Sequence, residues 1–176
     1  MKSFLQKKVT SFTGRLELAL AGFAVSMIWL VLVVTFLKFI IPPDPGFTLK
    51  SMLLNDIGVN SLVPGSMIFP FVMACISAPI WEELAFRVGP AKLAQAFGKQ
   101  FGSTDFEYNL LFPIFIIASC IFGWGHGGPV NIWIQGIDGA IMAIVYIKSG
   151  YAWWTNMMVH FMLNFTLMFA IPMLTT

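Results

Sequence analysis

From Leu18 to Ile41 the chain carries one charged residue, Lys38, and four further apolar runs follow. A helix needs ~20 residues to cross the hydrocarbon core of a bilayer. Inside that core every backbone N–H and C=O must be satisfied within the protein, which favours helices. The later runs are Leu62–Trp81, Leu110–Trp124, Val130–Ile147 and Trp153–Leu174. Hydrophobic residues make up 58% of the chain and charged residues 10%, against roughly 25% charged in a soluble domain. A soluble enzyme, a disordered chain and a nucleic-acid-binding module are excluded. The expected fold is all-α: a polytopic transmembrane helix bundle of about five spans plus a short interfacial helix.

The first run follows a basic leader, Lys2, Lys7, Lys8 and Arg15. A signal peptide would have a shorter apolar region and a small-residue cleavage site, so the run reads as an uncleaved anchor. IPPDPGFTLK then opens a polar loop reaching about Ser61. Leader, anchor and loop form one unit, residues 1–61, and the bundle proper is 62–176. Pro64, Pro70 and Pro79 are expected to kink or delay the second span. It continues through Glu82, Glu83 and Arg87 and is expected to stop at Gly89-Pro90. AKLAQAFGKQFG is amphipathic and expected to lie along the interface. Counting charges gives eight basic groups on one side and two, Lys38 and Lys50, on the other. This places the N-terminus in the cytoplasm and the C-terminus across the membrane. Cys75 and Cys120 sit in apolar runs and read as small buried hydrophobes.

Ionisable groups within a span cost at least ~2.5–3.5 kcal/mol each and mark function by default. On a helix Glu83 and Arg87 lie four apart on one face and can pair. Glu82 points about 100° away and has no such partner. It is left unneutralised in a poorly solvated place, the setting of a general base; an interfacial charge cluster ending a helix is the bland alternative. The chain has two histidines, His126 and His160, both on apolar segments. His160 and Asn164 share a face and could present an imidazole and an amide to one point, suited to an oxyanion or a water. Phe122 stacks one turn before His126, among glycines that leave room for a substrate or for tight packing. Asp138 is read as a structural partner of Arg87 or His126, a neutral acid, or a cavity wall.

Depth poses a test. From the cytoplasmic ends, Glu82 and His160 lie ~10 Å deep, Asn164 ~16 Å and His126 ~20 Å. Tilt, a kink at Pro113 or a third helix starting below the surface is expected to close that gap.

The series Glu82-Glu83-x-x-x-Arg87, Phe122-x-x-x-His126 and His160-x-x-x-Asn164, in that order on successive helices, resembles the CPBP family. These are the CAAX proteases and bacteriocin-processing enzymes, also called Abi intramembrane proteases. The resemblance covers about residues 62 to 170. It departs in having Val88 where a glycine usually follows the arginine, and in its five spans, so that the substrate cavity is expected to be smaller or to be completed by another subunit of a homo-oligomer. It implies an intramembrane endopeptidase in a bacterial plasma membrane, with a peptide or protein substrate. Glu82 and His126 would activate a water, His160 and Asn164 would hold the oxyanion, and Glu83 and Arg87 would support the first motif. The resemblance brings both a metal-free glutamate mechanism and a zinc mechanism, the latter with Glu82, His126 and His160 as ligands. The metal-free reading, with no cofactor, is preferred. Two other functions compete: a non-catalytic immunity or scaffold protein on the same fold, and a haem protein ligated by His126 and His160. The first does not need the intact motifs, and the second leaves Glu82, Glu83 and Arg87 unexplained.

Overall fold

The structure is a computed structural model, and it describes residues 7–40, 68–101 and 104–174. The loop expected at 42–61, the onset of the second apolar run and the last two residues lie outside the described residues. The described chain is helical, with no strand among the described residues. α1 is Phe12–Ile40, α2 is Ile68–Gln100, α3 is Thr104–Gly125, α4 is Pro129–Lys148 and α5 is Trp153–Leu174. α1, α2 and α4 are long and apolar enough to cross a membrane, and 109–125 of α3 is a shorter apolar stretch. This is a membrane helix bundle. Large apolar side chains such as Ile28, Val31, Phe36, Ile117 and Trp133 point outward, the side that faces lipid in a spanning bundle.

Two expectations need correcting. Gly89-Pro90 does not end the second helix: α2 runs through it, and the amphipathic segment is its last three turns, Gly89–Gln100. Proline has no N–H and its ring crowds the carbonyl four residues back. α2 meets this with a π turn at Leu84–Val88, where Gly89 N–H reaches back five residues to Leu84 O. A second π turn, Val72–Ser77, precedes Pro79 in the same way. The widened turn makes space for the ring without breaking the helix. Along the amphipathic segment Ala91, Ala94 and Gly98 are buried; Ala91 and Ala94 pack against Leu111 and Phe115 of α3 and Tyr146 and Ile147 of α4. The second correction is Cys120, which is exposed, whereas Cys75 is buried. On an outward face of a span a thiol meets lipid, so an apolar run does not distinguish the two positions.

The basic leader has a structural task. Val9 N–H donates to Lys148 O at 2.7 Å. Lys8 Nζ donates to Ile147 O at 3.0 Å and Arg15 Nε to Ser149 O at 2.9 Å. The last carbonyls of a helix have no partners within it and attract cations. The leader therefore caps the C-terminus of α4 and fixes α1 beside it. Ala19 of α1 packs with Met142 and Val145 of α4 and Val159 and Leu163 of α5.

α3 and α4 touch through small residues. A Cβ on Gly123 would lie 2.6 Å from Asn131 O and Ile132 Cα and 2.8 Å from Gly136 N, so the two backbones are in direct contact. Close approach of this kind is how helices associate where water gives no drive. Gly123→Ala should therefore lower stability by about 1–3 kcal/mol, read as the thermal midpoint in detergent. Gly125, with nothing within 4 Å of its Cβ position, should accept alanine within about 0.5 kcal/mol. Equal midpoints for the two variants would contradict this packing.

Candidate active site

The three sequence motifs meet in one place, supplied by α2, α3 and α5. Glu82 and Glu83 are adjacent but face different surroundings. The Glu82 side chain keeps 23% exposure, and the Glu83 side chain is fully buried. Glu82 Oε1 lies 3.8 Å from His126 Nε2, and its Oε2 lies 3.3 Å from His160 Nε2. One carboxylate thus sits between both imidazoles of the chain, reachable from outside through itself and the 21%-exposed His126 side chain.

Glu83 is gripped from both sides. Its Oε1 accepts from His160 Nδ1 at 2.9 Å and its Oε2 from Asn156 Nδ2 at 2.7 Å. Arg87 Nε stands 3.6 Å from Oε2, on the face foreseen from the four-residue spacing. The guanidinium is also buried, lying over the Phe122 ring at 4.7 Å from its centre. Phe122 is the hub of the aromatic contacts, 4.3 Å from the His126 ring, 6.3 Å from His160 and 5.2 Å from Phe86. A Cβ on Gly139 would come within 3.2 Å of both Phe122 and Arg87, so α4 must be bare at that point.

His126 stands just past the end of α3, and its ring folds back, Nδ1 lying 2.7 Å from Phe122 O. A carbonyl only accepts, so Nδ1 carries the proton and Nε2 faces Glu82. The turn after it needs glycine: Gly127 and Gly128 have φ of 132° and 101°, a region side chains avoid. Asn131 then donates to His126 O, tying the turn to the start of α4.

This backward fold explains the depth gap. Ala91 of α2 and Leu111 of α3 share one cluster and mark a common level. From there Glu82 is ~14 Å along its helix and His126 ~22 Å along its own. Side chains lean toward the N-terminus of their helix. α2 and α3 run antiparallel, so Glu82 leans deeper and His126 shallower, and the two meet. α3 remains one helix through Pro113.

Asn164 gives one of its two amide N–H groups to the backbone of α2. Its Nδ2 donates to Ala74 O of α2 at 2.7 Å. In the π turn, Ala78 N–H goes to Met73 O, and Pro79, next in line, has no N–H. Ala74 O is left without a backbone donor, and the Asn164 amide supplies one. Asp138 is buried with Ser26, Arg87 and His160 as electrostatic neighbours, and its Oδ1 has no hydrogen-bond partner. The direct pair with Arg87 or His126 is absent. Asn156 was missed in the sequence. The available signal was Asn156-x-x-x-His160-x-x-x-Asn164, a three-turn polar stripe on one face of an apolar helix.

No three His, Cys, Asp or Glu side chains among the described residues gather in a geometry that would hold a metal ion. His126 Nε2 and His160 Nε2 each approach a different oxygen of Glu82.

The bond from Asn164 gives a test. Asn164→Ala should cost about 1–3 kcal/mol, the penalty of an orphaned buried carbonyl. Pro79→Ala restores an N–H five residues from Ala74, so the double variant should lose less than the sum of the single losses. Strict additivity of thermal midpoints would contradict the assignment.

Among known proteins, neither a curated protein nor a solved structure matches the chain. Residues 64–166, more than half the chain and the whole of the three motifs, match the family described as type II CAAX prenyl endopeptidase Rce1-like. The chain therefore belongs to that family, a group of CAAX-type proteases embedded in membranes.

Proposed function

We propose that this chain is an intramembrane endopeptidase in which Glu82 and His126 activate a water molecule against a peptide carbonyl. One observation carries the reading. Of two neighbouring carboxylates, Glu83 is sealed and saturated with donors, while Glu82 is left accessible between two imidazoles. A base must reach its water, and a buried, fully bonded carboxylate cannot. The water would lie between Glu82 and His126 Nε2 and give up a proton to this pair as its oxygen attacks the carbonyl carbon. The carbonyl oxygen becomes an oxyanion, to which Asn164 would offer its second N–H and His160 would donate from Nε2 once that nitrogen has taken the water's proton by way of Glu82, 3.3 Å away. Collapse breaks the C–N bond, and the stored proton passes to the departing amine. Atoms balance without a metal or cofactor. The substrate is a peptide or protein at the membrane, the N-terminus faces the cytoplasm, and Glu83 and Arg87 hold the first motif.

The test compares wild type, Glu82→Gln and His126→Ala in cells by terminal proteomics. A cleavage product should fall roughly 10²- to 10⁴-fold in both variants, and activity of the purified protein should survive chelation. Cleavage unchanged by both substitutions would overturn the protease reading in favour of a non-catalytic scaffold. Loss of activity on chelation, restored by zinc, would overturn the metal-free mechanism alone.

A further inference from the structure

Asn156 lies outside the three motifs, yet it is buried and bonded to the most buried carboxylate of the site. It and His160 are one turn apart on α5, and each takes one oxygen of Glu83. Two donors at fixed spacing on one rigid helix set both the plane and the rotation of that carboxylate. Arg87 cannot do this alone: its Nε stands 3.6 Å away, and its three guanidinium nitrogens have no hydrogen-bond partner within bonding distance. With Asn156 removed, Oε2 would lose its hydrogen-bond donor, and Glu83 would be free to turn toward the Arg87 N–H groups. His160 would then lose the acceptor that holds its Nδ1 proton. The ring could turn or shift its proton, and Nε2 would no longer be aimed at Glu82.

We propose that Asn156 is a positioning residue: by fixing the rotation of Glu83 it keeps the His160 proton on Nδ1 and the His160 Nε2 edge on Glu82. The proposal deepens the protease reading, since the site it positions is that one, but its structural core is testable without any substrate.

The experiment uses the full-length chain in detergent or nanodiscs with ¹⁵N-labelled histidine. With two histidines in the chain, the spectrum holds four ring-nitrogen signals, assigned with His126→Gln. In wild type, His160 should show a protonated Nδ1 in a single environment. In Asn156→Ala that signal should move or split into a mixture, while the His126 signals stay in place. Asn156→Asp keeps the shape and replaces the donor by an acceptor. It should shift the same His160 signal and serves where the alanine variant does not fold. Once a cleavage assay is in hand, kcat should fall roughly 10- to 100-fold with KM little changed. An unchanged His160 pattern in the folded variants, or equal movement of the His126 signals, overturns the proposal. If the His160 signal moves as expected while Glu82→Gln leaves every cleavage intact, the positioning role stands and the protease reading fails.

Discussion

A carboxylate fully buried in a bundle whose surroundings are lipid must be matched by donors or it will not stay there as an anion. The effective penalty is several kcal/mol per ion even after relaxation. Glu83 is such a group, and the site is arranged around neutralising it. Arg87 comes from its own helix, and His160 and Asn156 come from α5. Arg87 in turn lies on Phe122 and against the bare backbone at Gly139. α3, α4 and α5 therefore all pack against the groups that hold this one buried charge, and α3 and α5 bring His126 and His160 beside Glu82. The residue with no such grip, Glu82, is the one proposed to do the chemistry.

Much of this was legible in the sequence because the chain has so few charges. The five helices followed from apolar runs, three of them long and apolar enough to cross a membrane, and α5 begins and ends where its run does. The division between Glu82 and Glu83 followed from helical spacing, as the Glu83–Arg87 contact shows. What sequence missed has definite physical causes. Gly89-Pro90 reads as a stop because proline inside a helix usually breaks or kinks it, but the π turn of α2 accommodates it, and no local signal announces the change of register. Asn156 escaped notice because an asparagine in an apolar helix is read alone, whereas its meaning comes from a carboxylate 73 positions earlier. Asp138 was correctly singled out as unusual, but its surroundings, Ser26 of α1 among them, lie far off in sequence.

The two π turns of α2 tie local backbone chemistry to the site. Each sits just before a proline and beside motif residues: Val72–Ser77 creates the orphaned carbonyl that Asn164 satisfies, and Leu84–Val88 contains Arg87. Single π turns inside α-helices occur frequently at functional sites. The antiparallel lean of Glu82 and His126 is a second device of the same sort. It uses only the direction in which side chains leave a helix, and it removes the need for a kink in α3.

The central claim is that one accessible carboxylate lies between both histidines of the chain. Dipolar recoupling between glutamate carboxyl ¹³C and histidine ring ¹⁵N, on the full-length protein in lipid, measures it directly. Both His126 and His160 should show a glutamate carboxyl carbon within about 5 Å, by the contacts that bring Nε2 of each to Glu82 and the reach of a hydrogen bond. Replacing Glu82 by glutamine should remove the His126 coupling while His160 keeps the one from Glu83. A His126 ring distant from every glutamate carboxyl would contradict the account.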